Sequence, residues 1–184
     1  MASSKSIHLQ RKTIDKILTA FGVIATITLL AIGGLSWWAY SFTTSQVSTE
    51  LSTQKIYFPV KGSPALASSD IGPYLNQYAG QQLTTGDQAQ AYANHFIAVH
   101  LKAIGGGKTY AELSTEAQAN PSDAKLQGQV ATLFKGETLR GMLLNAYAFW
   151  TVGMIAQIVA LVAFAAGIIM AVLTLLGFWR VVRR

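Results

Sequence analysis

The chain contains no cysteine, and only 12% of its 184 residues are charged. Without cysteine it can hold no disulfide staple, iron–sulfur cluster or thioether-linked haem, so any folded part is held by packing alone. The charged fraction is about half that of an ordinary soluble domain, while 51% of the residues are apolar. The apolar excess is concentrated in two uncharged tracts, one between Lys16 and Glu50 and one between Arg140 and Arg180. A bilayer core of about 30 Å takes roughly 20 helical residues, so each tract is long enough to span once. Neither tract contains Asp, Glu, His, Lys or Arg. That argues against proton relay, ion conduction, coupled transport and haem ligation by this chain.

The net charge of +6 does not form a nucleic-acid patch. Lys5, Arg11, Lys12 and Lys16 stand against Asp15 before the first tract, and Arg180, Arg183 and Arg184 follow the second. Between the tracts, seven bases balance seven acids. Basic short ends around a neutral long loop fit a hairpin with both termini cytoplasmic and the middle outside the plasma membrane. No nucleic-acid partner is expected, and contacts with lipid are. A cleaved leader ending at Ala39-Tyr40-Ser41 is the competing reading. The apolar run Ile17–Leu35 is longer than the usual core of a signal peptide, which favours a retained span.

The expected fold class is an all-α membrane protein. It is a two-transmembrane-helix hairpin with a mostly helical extracytoplasmic domain and a long irregular connector. Residues 1–16 form a cytoplasmic arm, 17–41 the first span, 42–146 the outer domain, 147–179 the second span and 180–184 the tail. Residues 43–86, rich in Ser, Thr, Gln and Gly with Pro59, Pro64 and Pro73, read as a connector too poor in apolar residues to bury itself well. Lys55–Val60 reads as an edge or irregular strand at best, because Pro59 cannot donate to a ladder.

Helices are expected over about 87–104, 110–119 and 122–146. In the first, Tyr92, Phe96, Val99 and Ala103 recur at helical spacing, with Thr85 or Asp87 as cap and Gly105-Gly106-Gly107 as terminator. Thr109 and Glu112 match a capping box for the second, which Asn120-Pro121 stops. Ser122 is suited to cap the third, which has Leu126, Val130, Leu133 and Phe134 on its apolar side and runs on into the second span.

Several residues stand out in and beside the spans. Trp37, Trp38, Tyr40, Tyr147, Trp150, Trp179 and Arg180 fall where aromatic belts and cationic flanks mark membrane interfaces. In the second span Gly153, Ala156, Ala160, Ala163, Gly167 and Ala171 recur at steps of three and four. Gly22, Thr26, Leu29 and Gly33, three of them small, do the same in the first. Small residues on one stripe let helix backbones approach closely. The pattern does not decide between the other span and another subunit as the occupant.

Two motifs are weak. Ile104-Gly-Gly-Gly-Lys-Thr109 ends like a phosphate-binding loop, but the glycine required five positions before the Gly-Lys pair is Lys102. A helix cap and turn is the simpler reading. His95 and His100, five apart, point about 140° apart on an α-helix and lack zinc-site spacing.

At Ala91-Tyr92-Ala93, His100 and Gly107-Lys-Thr-Tyr-Ala-Glu-Leu113 the chain resembles a family of small actinobacterial two-span membrane proteins. Its members often carry the label "aromatic ring-opening dioxygenase". The likeness extends loosely to Asn145 and the second span, while the longer connector and the glycine-rich turn depart from the pattern. The label implies an iron site of histidines and a carboxylate with open positions, which these two histidines do not supply. The resemblance also implies an actinobacterial cell envelope and an accessory place in the cytochrome bcc–aa3 respiratory supercomplex. The expectation is a non-catalytic accessory subunit that binds no cofactor or metal through its own residues and has other membrane subunits as partners. The alternative is an extracytoplasmic sensor or ligand-binding module acting through a partner.

Overall fold

The structure, a computed structural model, describes the backbone of residues 2–183 and the burial of residues 13–183. The cytoplasmic arm expected over 1–16 therefore lies partly outside the described residues. Among the described residues the chain is all-α with no strand, and two of its helices are long and apolar enough to cross a membrane. These are α1 (Ala2–Thr53) and α6 (Ala124–Val182). Contacts divide the chain into two units, residues 1–42 with 153–184, and residues 43–152.

In the first unit the apolar side chains mostly face outward: Phe21, Leu35, Ile155, Val162 and Leu175 are all exposed. A soluble helix pair would bury such residues, whereas lipid is an apolar solvent that accepts them. Hydroxyls in these helices bond back to their own backbone, Thr19 to the Asp15 carbonyl and Thr26 to that of Gly22 at 2.8 Å each, and Thr174 to that of Met170 at 2.7 Å. This satisfies the donor without water.

The middle unit, residues 43–152, has a core of its own. Helix α1 continues to Thr53 and presents Val47 and Leu51, four residues apart, to that core. Lys55, in the left-handed conformation at φ 54°, then turns the chain away. A 3-10 turn at Pro64–Leu66, a short α2 (Gly72–Leu75) and a second 3-10 turn at Asn76–Tyr78 follow. Phe58, Leu66, Ile71, Leu75 and Leu83 from this stretch are all buried, Leu75 and Leu83 completely.

The expectation of an irregular connector from residue 43 is thus corrected. Its first eleven residues are helical, and its few large apolar residues are placed inward. Each such burial stabilises by about 1.5–3 kcal/mol, enough to order a stretch whose average composition reads as loop. The expected irregular strand is reduced to one antiparallel bridge, Tyr57 to Gln82. It is supported by Phe58 N–H to the Gln81 carbonyl and Leu83 N–H to the Ile56 carbonyl, both at 2.9 Å.

The helix expected over 87–104 is three segments: α3 (Gly86–Ala91), a π-helical turn (Tyr92–Ile97) and α4 (Ala98–Ile104). Its buried stripe is Ala89, Ala93, Ile97 and Leu101, at even steps of four. Of the residues at helical spacing in the sequence, Tyr92, Phe96 and Val99 pack half-buried against the same core, and Ala103 is exposed. A π turn takes up more than 3.6 residues, so residues four apart stay in line across it.

Thr85 caps α3 with Gln88 in a capping box, and Thr109 caps α5 (Tyr110–Ala119) with Glu112 in another. Asp123, not Ser122, caps α6, its carboxylate accepting from Leu126 N–H at 3.0 Å. On α6, Leu133 is buried, but Phe134 is exposed and lies against Tyr110 with ring centroids 5.7 Å apart.

Candidate functional site

In the two-helix unit the small-residue stripe of the second span faces the first. Ala160, Ala163, Gly153 and Gly167 are buried and Ala156 and Ala171 half-buried. A Cβ at Gly33 would come within 2.7 Å of the Phe164 ring, one at Gly167 within 3.1 Å of Leu30 and 3.5 Å of Leu29, and one at Gly22 would meet the Thr174 hydroxyl. Thr26, half-buried, lies on the same face of α1 as Gly22 and Gly33. The hairpin itself therefore occupies much of the stripe, so the stripe alone does not call for a second protein.

The expected interface residues divide. Trp37 contacts Tyr40 at 5.4 Å between ring centroids, and Trp38 stacks on Phe42 at 5.5 Å. Trp37 and Trp38 are exposed, and Tyr40 is half-buried. Trp179 is exposed with the Arg183 guanidinium 3.9 Å over its ring, and Arg180 beside it is also exposed. Such amphipathic aromatics and cations suit a headgroup layer. Tyr147 is half-buried. Trp150 is placed differently, half-buried on the core of the middle unit and directly against Gly86.

The middle unit carries a feature absent from the sequence reading, a connected row of aromatic rings built on the π turn. Tyr78 contacts Phe58 at 5.2 Å between centroids, Phe58 meets Tyr92 edge-on at 5.4 Å, Tyr92 stacks on Phe96 at 4.8 Å, and Phe96 meets His100 at 4.4 Å. Alongside it His95 stacks on Tyr74 at 3.5 Å with the planes 7° apart. The row runs from buried Phe58 to exposed His100, and Tyr74 is 47% exposed. Burial raises the Tyr92 pKa above its ordinary value, so its phenol stays protonated across the physiological range.

The two histidines are thus engaged separately. His95 lies on Tyr74, while the Nδ1 of His100 sits 2.7 Å from the Phe96 carbonyl oxygen and must be the donor. Among the described residues no three His, Cys, Asp or Glu side chains gather as a metal site. The row was not legible because Tyr74 and His95 are 21 residues apart and only the fold of the connector brings them together.

A second feature is a groove lined by Lys102, Lys108, Thr109, Tyr110, Glu137 and Arg140. Lys108 is held by Glu116 at 2.6 Å, and Arg140 lies 3.2 Å from Glu137. The glycine turn on its rim uses its amides internally: Gly106 donates to the Ala103 carbonyl, Gly107 to that of Lys102 and Lys108 to that of Gly105. It is a helix terminator and not a backbone phosphate cradle. Compared with protein-family models, with curated proteins and with solved structures, the chain matches none.

Proposed function

We propose that the chain is a non-catalytic accessory subunit of a larger membrane complex, anchored in the plasma membrane by two spans. In this reading both termini are cytoplasmic and the middle unit is extracytoplasmic. The charge asymmetry of the sequence supports that orientation, and the exposed apolar faces of α1 and α6 support lipid as their surroundings.

The observation that carries the reading is the aromatic row. Tyr74 and His100 are exposed, and half-buried His95, Tyr92 and Phe96 adjoin them, so the row brings large, stiff rings to the surface of the middle unit. Such rings dominate protein–protein contacts because they bury much area at small entropic cost. The resemblance at Ala91–Ala93, His100 and Gly107–Leu113 points the proposal to the actinobacterial cytochrome bcc–aa3 supercomplex as the host. Trp179, Arg180 and Arg183 supply lipid contacts on the cytoplasmic side.

Photocrosslinking in intact cells tests the proposal. A photoreactive residue at Tyr74 is expected to give a discrete adduct with another membrane subunit, while one at exposed Lys125 gives none. Equal labelling from both positions refutes the role of the row. Absence of the chain from the native supercomplex purified in mild detergent refutes the respiratory version.

A further inference from the structure

We propose that the groove beside the glycine turn binds a phosphate group. It lies among α4, the turn, the first residues of α5 and the facing stretch of α6, all within the middle unit. Its volume is about 230 Å³, below the roughly 300–1,000 Å³ of ordinary small-molecule pockets, so it takes a compact group rather than a large ligand. Three cations, Lys102, Lys108 and Arg140, and one carboxylate, Glu137, line it. That excess of positive charge suits an anion.

The three cations are unequally committed. Lys108 is held by both oxygens of Glu116, at 2.6 and 2.8 Å. Arg140 has weak partners, Glu137 at 3.2 Å and the Asn94 side-chain oxygen at 3.4 Å, and its buried Nε has no acceptor. Charge-assisted bonds of arginine are ordinarily about 2.7–2.9 Å, so this guanidinium keeps capacity for a stronger acceptor. Lys102 is exposed, and its side chain makes no hydrogen bond or ion pair among the described residues. Because the turn amides are bonded internally, recognition falls to Lys102 and Arg140. The groove shares no residue with the aromatic row, and the inference stands apart from the accessory-subunit reading.

The same phosphate chemistry is offered by free phosphate and by a phosphomonoester lipid headgroup. The test uses the full chain in an uncharged detergent. Inorganic phosphate is expected to raise the thermal midpoint in a saturable way that sodium chloride of equal ionic strength does not. Lys102→Gln is expected to weaken phosphate binding about tenfold, the loss of one charge-assisted bond, and Lys102→Arg to restore it. The Lys102 side chain holds no hydrogen bond or ion pair, and its carbonyl bond to Gly107 survives substitution, so the fold is expected to stay intact. Short-chain phosphatidic acid displacing phosphate at lower concentration assigns the site to lipid, and the reverse order assigns it to the free anion. A midpoint shift reproduced by chloride, or wild-type phosphate affinity in Lys102→Gln, overturns the proposal.

Discussion

Gly86 lies so close to the indole of Trp150 that any Cβ at position 86 would collide with the Trp150 side chain. The start of α3 and a turn of α6 are thereby locked at a distance only glycine permits. Gly86→Ala is expected to destabilise the middle unit by about 1–3 kcal/mol through overpacking, read by denaturant unfolding of the full chain in detergent. The penalty should shrink in a Trp150→Ala background, because the two positions are directly coupled. Equal penalties in both backgrounds would show that the contact does not govern stability.

Adjacent glycines in α1 give a sharper contrast. Gly33 faces the Phe164 ring, whereas Gly34 has nothing within 4 Å of a built Cβ. Gly33→Val is expected to loosen the helix pair by about 1–3 kcal/mol, and Gly34→Val to change stability by about 0.5 kcal/mol or less. Detergent-induced unfolding of the two variants checks the difference.

The order in residues 55–83 depends on a few side chains. Leu75 and Leu83 are completely buried, so Leu83→Ala should cost about 2–5 kcal/mol. It should also open this stretch to protease while the helices of the two-helix unit stay protected. Unchanged cleavage would mean that the stretch is not held by this core.

Glu112 makes one cap sensitive to pH. The backbone amide of Thr109 first, then its hydroxyl, and more weakly Lys108, hold the Glu112 carboxyl below its ordinary value of 4.5. Folding therefore favours the ionised form. This stabilisation is present above pH 4.5 and is lost as the pH falls through the lowered value in the folded chain. Glu112→Gln should flatten the acid limb of stability against pH, measured by unfolding at stepwise lower pH.

The cysteine-free sequence makes topology simple to map. A Lys125→Cys variant should react with an impermeant maleimide in intact cells, and a Ser3→Cys variant only after permeabilisation. The opposite pattern would invert the proposed orientation.

What the sequence made legible was local. The two apolar tracts, a cap at Thr85 or Asp87, the capping box at Thr109 and the stop at Gly105–Gly107 depend on residues within a few positions of each other. The connector misled because composition averages over a stretch, whereas burial depends on where its few apolar residues point. Periodicity picked out Tyr92, Phe96 and Val99, which pack half-buried against the core, and missed the buried Ala93, Ile97 and Leu101, because it assumes 3.6 residues per turn and the π turn breaks that assumption. The aromatic row and the placing of Lys102 and Arg140 on one groove are long-range juxtapositions, visible only once the chain has folded.

The π turn at Tyr92–Ile97 also bears on how the chain tolerates changes in length. A π turn holds one residue more than the α-helical path requires. Deleting a single residue there would let the segment relax into an uninterrupted α-helix without opening a gap. The flanking α3 and α4 would keep their phase, and the change would fall on the turn itself, moving the rings of Tyr92 and Phe96 relative to their present neighbours. A one-residue deletion in this segment would thus keep the fold while rearranging the middle of its aromatic row.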